Sequence, residues 1–196
     1  MPALELILAS TSTIRQQLLK NAGIAFTCQS PSVDEGDYKS KNSSLNPQEL
    51  ALALASLKAK SIKQLNALII GADQTLSCDG VLFDKVKTLE EAKTCLQKLR
   101  GRTHTLNSAI SISHVGITLF SSVDSAELTM RNFSDDFLED YLSACGPEIL
   151  HSVGCYQLEK QGAQLFEKIS GDYFTILGFP LLPCLAFLRQ MQFLKA

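Results

Sequence analysis

Residues Leu4–Gly23 read LELILASTSTIRQQLLKNAG, and three structural signals follow one another in that stretch. Leu4–Ala9 is a short apolar run of the kind that forms a buried strand. Ser10-Thr11-Ser12-Thr13 is a hydroxyl-rich turn. Ile14, Leu18 and Ala22 then recur at helical spacing, and Gly23 stops the helix. The free N–H groups at a helix N-terminus attract anions, and the serine and threonine hydroxyls add donors. Arg15 falls in the first helical turn, where the helix dipole disfavours a cation. An ordinary capped helix with an exposed arginine accounts for this segment about as well as an anion site that needs a counter-charge.

Outward from this unit the chain alternates strands and helices. Asn46-Pro47-Gln48-Glu49 is a helix start, with Asn as N-cap, Pro at N1 and Glu at N3, and the helix is expected to run to about Gln64. Lys58, Lys60 and Lys63 on it would ordinarily form a solvated face. Ala67–Ala72 (ALIIGA) reads as a second buried strand with Asp73 at its end and Gln74 and Thr75 behind it. Ligands of α/β sheets bind beyond the carboxyl ends of strands, so Asp73 is a candidate metal ligand or base. Taken alone, a turn cap is the simpler account of it.

Cys78-Asp79-Gly80 signals a hairpin, and Thr88-Leu89-Glu90-Glu91 a capping box whose helix ends near Gly101. Thr103–His114 and Gly116–Ser121 read as two strands around a turn, with Ala126–Met130 a further one. Ser134 caps a helix ending at Gly146-Pro147, Gln164–Ile169 alternates as a strand, and a last helix follows Pro180. The pattern predicts one domain over residues 1–196 of the α/β class, a mixed, curved sheet flanked by helices and including antiparallel strands.

Composition narrows the functional classes. Of 196 residues, 18 are Lys or Arg and 20 are Asp or Glu, a net charge of −2 that gives no general attraction to nucleic acid or an anionic membrane. Hydrophobic residues make up 45% and charged residues 19%, which suits a packed core and argues against disorder. The six cysteines form no CxxC pair and only three histidines exist, so a zinc site of ordinary spacing is not expected. Scattered cysteines in a chain of this length read as reduced core residues. The N-terminus has no basic stretch before its apolar run, and Pro180 and Pro183 break the longest apolar stretch, Ile176–Leu188. A soluble cytoplasmic protein is expected.

No GxGxxG, GxxxxGK[ST], GxSxG or HExxH motif is present. Arg15, Asp34-Glu35, Lys58, Asp73 and Lys85 stand at strand ends and turns, the acids and cations that a magnesium–polyphosphate site needs. Their order and setting resemble the Maf family of nucleoside triphosphate pyrophosphatases. The resemblance rests on Leu8-Ala9-Ser10-Thr11-Ser12-Thr13-Ile14-Arg15, Asp34-Glu35, Lys58, Gly71-Ala72-Asp73 and Lys85. It continues through Arg100-Gly101-Arg102-Thr103-His104, Val153-Gly154-Cys155-Tyr156-Gln157-Leu158-Glu159, Gly171-Asp172-Tyr173 and Gly178-Phe179-Pro180-Leu181, and so covers nearly the whole chain.

The resemblance implies a Maf/Ham1-like (inosine triphosphatase-like) architecture with a central cleft and a hydrolase dependent on a divalent metal, Mg2+ or Mn2+. It would split a nucleoside triphosphate between the α and β phosphates. Asp73 would be the proton acceptor, Glu35 and Asp73 the metal-associated acids, and Ser10, Arg15, Lys58 and Lys85 the phosphate-contacting positions. Ile14, Gln74 and Glu159 match positions bearing on base choice, and the Gln74/Glu159 combination looks like the branch associated with 7-methyl-GTP. Thr13, Ile14 and Val86 stand where many members have Pro, Arg and Pro. A homodimer is a family-level expectation. The rival reading, from a different class, is a non-catalytic nucleotide-binding regulator of septum formation. His104, Tyr156, Tyr173 and Phe174 are read as strand, core or pocket-wall residues.

Overall fold

The structure is a computed structural model and describes residues 4–195. Its elements in chain order are β1 (Glu5–Ala9), α1 (Thr13–Asn21), β2 (Thr27–Cys28), α2 (Glu35–Lys41), α3 (Pro47–Ser61), β3 (Ala67–Cys78) and β4 (Val81–Phe83). There follow α4 (Leu89–Leu99), β5 (Thr103–His114), β6 (Ile117–Met130), α5 (Asp135–Cys145), β7 (Phe166–Ser170), α6 (Tyr173–Ile176) and α7 (Leu181–Gln190). The strands form a mixed sheet in the order β2-β1-β3-β5-β6-β7, with β4 paired to β3 off that path. β1 runs parallel to β2 and β3, whereas β3–β4 and β6–β7 are antiparallel. The chain is thus α/β with the mixed sheet that its sequence predicts. No helix among the described residues is long and apolar enough to cross a membrane.

The contacts divide the chain into two compact units. One holds the chain up to Gln74, Asn107–Asp124 and the chain from Asp172; the other holds Thr75–Leu106 and Ser125–Gly171. In the first unit, strand alternation assigns every side chain of β1 and β3 to one of two faces. The even positions Leu6, Leu8, Leu68, Ile70 and Ala72 pack with Leu18 and Leu19 of α1 and Phe187 and Leu188 of α7. The odd positions Ile7, Ala9, Ala67 and Ile69 pack with Ile62 just past α3. Burying an aliphatic side chain of this size stabilises by about 1.5–3 kcal/mol, so both faces hold helices firmly to the sheet.

α3 starts where its capping box dictates: Asn46 Oδ1 accepts from Glu49 N at 2.9 Å, and Glu49 Oε2 accepts from Asn46 N at 3.0 Å. Its inner side then meets β3 at Gly71. A Cβ there would lie 2.1 Å from Ala55 O and 2.5 Å from Ala59 N, so only glycine lets the helix backbone touch the strand.

The second unit is built around α4 and α5. Thr88 Oγ1 and Ser134 Oγ accept from the N3 amides Glu91 N and Phe137 N and fix the two helix starts. β3 turns into β4 through Asp79 and Gly80, both at positive φ, as a two-residue hairpin requires.

Several boundaries differ from expectation. β3 does not stop at Ala72 but runs to Cys78, which puts Asp73 in mid-strand. The polar pair Asp73-Gln74 reads as a strand end, yet each side chain finds a polar partner on its own face and the ladder continues. β6 is one strand over Ile117–Met130 rather than two, because its hydroxyl residues Ser121, Ser122 and Ser125 lie where neither face is fully buried. α3 ends at Ser61, since Ile62 is already extended at φ −104 and ψ 120. β7 begins at Phe166, after a 3-10 turn over Gln161–Leu165. α2 and β2 have no counterpart in the sequence reading.

Candidate functional site

Three charged side chains of the first unit meet on the α3 face of the sheet. Lys58, three residues before the end of α3, is held at β3 by the Gly71 contact. Asp73 follows Gly71 by two residues and therefore faces the same helix. Lys58 Nζ donates to Asp73 Oδ1 at 2.5 Å and pairs with Glu35 Oε1 at 2.8 Å. Lys58 and Asp73 are both buried, with side chains 8% exposed, while Glu35 is 46% exposed. Glu35 is the first residue of α2, whose N-cap Asp34 accepts from Asp37 N at 2.9 Å. The triad is therefore closed at its Lys58–Asp73 base and open to solvent at Glu35. Lys58 departs from the solvated face that its helix would ordinarily present. Lys60 on α3 and Lys63, just beyond its end, are exposed.

Arg15 comes from the other face. Its Nε donates to Gly178 O at 2.8 Å and its Nη1 to Ala72 O at 2.9 Å. Burial lowers the guanidinium pKa, and the charges of Asp73 and Glu35 oppose that shift. Arg15 is thus a braced cation sharing the field of the two acids, which supplies the counter-charge that its place in the first turn of α1 calls for. The register Ala9↔Gly71 carries Ser10 level with Ala72. Ser10 is 6% exposed, and its Oγ accepts from Ser12 N at 3.1 Å.

The residues matched to base choice are placed differently. Ile14 is half-buried and packs on the apolar cluster of α1 and α7. Gln74 points away from Asp73, and its Nε2 donates to Ser108 Oγ at 2.9 Å, Ile176 O at 3.0 Å and Thr175 O at 3.1 Å. Glu159 lies in the second unit, exposed in a turn, and Lys85 in the same unit, exposed just after β4. The sequence reading gave no role to Ser108, Thr175 or the carbonyl of Gly178. The available signal was the Gly178-Phe179-Pro180-Leu181 motif itself, since Gly178 sits at φ +88 and closes the turn whose carbonyl Arg15 grips.

Two hard carboxylate donors converging on one cation suit a divalent ion of the magnesium type, for which one or two carboxylates suffice when substrate oxygens and water complete the shell. Among the described residues no cluster of three His, Cys, Asp or Glu side chains is placed to hold a metal by itself. Glu35 and Asp73 supply two oxygen donors of the kind such an ion takes, and any further ligands would come from outside this pair.

The sequence matches the family described as Maf-like protein over residues 5–191. The chain belongs to the Maf family. This Maf protein is 49% identical to a nucleoside triphosphate pyrophosphatase of Caulobacter vibrioides over 93% of both chains. It is 45% identical to a 7-methyl-GTP pyrophosphatase of Bartonella henselae, over 95% of its own length and 96% of the relative's. The figures for a 7-methyl-GTP pyrophosphatase of Brucella abortus are 46%, 95% and 96%. A HAM1 protein of Coxiella burnetii aligns at TM-score 0.45 and 19% identity, over 66% of the Maf chain and 74% of its own, too distant a likeness to add to the assignment.

Proposed function

We propose that this Maf protein is a nucleoside triphosphate pyrophosphatase acting on non-standard or modified nucleotides. The observation that carries the reading is the buried Lys58–Asp73 pair, joined by half-exposed Glu35 and with Arg15 in the field of both acids, in a chain whose relatives bear pyrophosphatase names. Water adds its oxygen to a phosphorus of the α–β anhydride, the bridging P–O bond breaks, and nucleoside monophosphate and pyrophosphate leave. Asp73 accepts the proton that the water gives up. Lys58 orients the Asp73 carboxylate, and an ammonium has three donors, so one remains for a phosphate oxygen. Arg15, Ser10 and Lys85 offset and bind the charge of the departing pyrophosphate. Glu35 and Asp73 would hold Mg2+ or Mn2+ together with the triphosphate, and when bound the metal supplies Lewis-acid charge and a more acidic water.

Base choice is assigned to Glu159, whose carboxylate can accept from both N1–H and N2–H2 of a guanine edge, with Ile14 as an apolar wall. This favours guanine-type substrates such as 7-methyl-GTP over dTTP or UTP. The setting is a soluble cytoplasmic enzyme, as a homodimer, with no nucleic-acid or membrane partner. No observation favours the non-catalytic regulator.

The test is product analysis with Mg2+ or Mn2+ over a panel of triphosphates that includes 7-methyl-GTP, GTP, dTTP and UTP. Monophosphate and pyrophosphate in equal amounts are expected. Release of orthophosphate, or no product from any nucleotide, would overturn the reading.

A further inference from the structure

We infer that Gln74 is a positioning residue for Arg15, and through Arg15 for the phosphates, rather than a reader of the base. The inference rests on the pyrophosphatase reading of the same site. Its carrier is a closed circuit of hydrogen bonds within the first unit. Gln74 Nε2 holds the carbonyls of Thr175 and Ile176 at 3.1 and 3.0 Å. Thr175 O in turn accepts from Gly178 N at 3.0 Å and from Ser108 Oγ at 2.7 Å. Gly178 O accepts from Arg15 Nε at 2.8 Å, and Arg15 Nη1 returns to β3 at Ala72 O, 2.9 Å away and two residues before Gln74.

Each link fixes the next. The amide orientation of Gln74 is set by three oxygens around one nitrogen, so that nitrogen is the donor and Oε1 faces the other way. Both N–H groups are thereby committed inside the unit and none is left for a base. Oε1 borders Gly178, where an added Cβ would sit 3.4 Å from it and 3.5 Å from Arg15 Nη2. Thr175 is anchored a second time, since its Oγ1 donates to Asp124 Oδ2 at 2.8 Å. The turn that grips Arg15 is thus tied to β3 through Gln74, to β5 through Ser108 and to β6 through Asp124. With Nε and Nη1 taken by carbonyls, Nη2 is the arm of the guanidinium left to meet an anionic oxygen.

Freeing the 175–178 turn from β3 lets the guanidinium drift. Misplacement of a positioned group by about 1 Å costs up to about a hundredfold in rate. The experiment is a double-mutant cycle on kcat/KM with one purine and one pyrimidine triphosphate. It uses Gln74→Ala, Arg15→Ala and both together, with Ser108→Ala as a second variant that loosens the same turn from β5. Gln74→Ala is expected to lower kcat/KM by roughly ten- to a hundredfold for both nucleotides alike, and by less than about threefold once Arg15 is alanine. Ser108→Ala is expected to act in the same direction more weakly. Faster hydrogen exchange at the Arg15 Nε–H in Gln74→Ala, read by NMR on folded protein, is the matching structural result. A shift in the purine-to-pyrimidine ratio with additive effects, or an unchanged Arg15 Nε–H, overturns the inference. A wild type that hydrolyses no triphosphate sinks the pyrophosphatase reading instead, and the exchange measurement still decides whether Gln74 positions Arg15.

Discussion

Lys58 in the first unit and His104 in the second are both ionisable and both buried, yet their surroundings are opposite in kind. Lys58 lies between two carboxylates. His104 shares a 2.7 Å hydrogen bond with the Tyr156 hydroxyl and is ringed by Tyr156 and Phe166. Its Nδ1 has no hydrogen-bond partner, and burial pulls its pKa down to about 4. The same desolvation acts on Tyr156, whose pKa is raised well above the ordinary phenol value. One cluster is built to keep charge inside the protein and the other to keep charge out. A buried charge with matched partners and a solvent-facing member is what substrate chemistry uses, whereas a buried neutral pair is what packing tolerates.

The largest effect should come from removing the acid of the charged cluster. Asp73→Asn preserves shape and leaves Lys58 paired with Glu35, so the protein should fold. Turnover should fall about 10²–10⁴-fold, the range for losing a general base. Near-wild-type turnover in folded Asp73→Asn would reject Asp73 as the proton acceptor. The complementary change is Lys58→Met, which leaves the Asp73 carboxylate buried without its partner while exposed Glu35 simply hydrates. Breaking a buried pair from one side costs about 3–5 kcal/mol. Urea unfolding followed by circular dichroism should show that loss, and Lys58→Met/Asp73→Leu should recover most of it. A cost below about 1 kcal/mol would mean that water already reaches the pair.

How far this contrast could be read in the sequence follows from the range of each interaction. Local signals were legible: the Asn46 capping box, the Asp79-Gly80 hairpin turn, the Ser134 cap and the Gly146 stop all act within four residues. The charged cluster was legible as a set of residue types, because motif order brings Asp34-Glu35, Lys58 and Asp73 to attention together. Its geometry was not, since Lys58 carries the same helical pattern as exposed Lys60, and only contact with β3 at Gly71 sets them apart. A glycine inside an apolar strand was the one available hint of that approach. Gln74 was the harder case. Its partners Ser108 and Thr175 lie 34 and 101 positions away, and no local rule reaches them.

The neutral cluster can be tested by pH. The unfolded histidine titrates near the ordinary 6.5 and the folded one near 4, so above pH 6.5 both states are neutral and His104 contributes no pH dependence. Between 6.5 and 4 only the unfolded state takes up the proton, so stability falls as pH falls, by ~3 kcal/mol in all, and then levels. His104→Gln should remove this slope while leaving the behaviour above pH 7 parallel to wild type. Equal slopes in both proteins would show that other groups cause the acid sensitivity of the second unit.

The smallest effect concerns Glu159, the exposed acid of the second unit to which base choice is assigned. A carboxylate reading N1–H and N2–H2 of guanine makes two charge-assisted hydrogen bonds that thymine and uracil do not offer. Replacing it by an amide keeps one acceptor and turns the other atom into a donor facing a donor. Losing a hydrogen bond to a charged group costs about 1.5–3 kcal/mol, or roughly ten- to a hundredfold in specificity. Glu159→Gln should therefore depress hydrolysis of 7-methyl-GTP and GTP by that factor and leave UTP near its starting rate. The deciding quantity is the ratio of kcat/KM for 7-methyl-GTP and UTP in the two proteins, because a general loss of activity cancels in it. The same ratio in Asp73→Asn should stay at its wild-type value, since that change touches the phosphate chemistry common to every substrate. If both ratios move together, base choice and bond cleavage share residues. If the Glu159→Gln ratio stays fixed, Glu159 is a solvated turn residue and base recognition lies elsewhere in the chain.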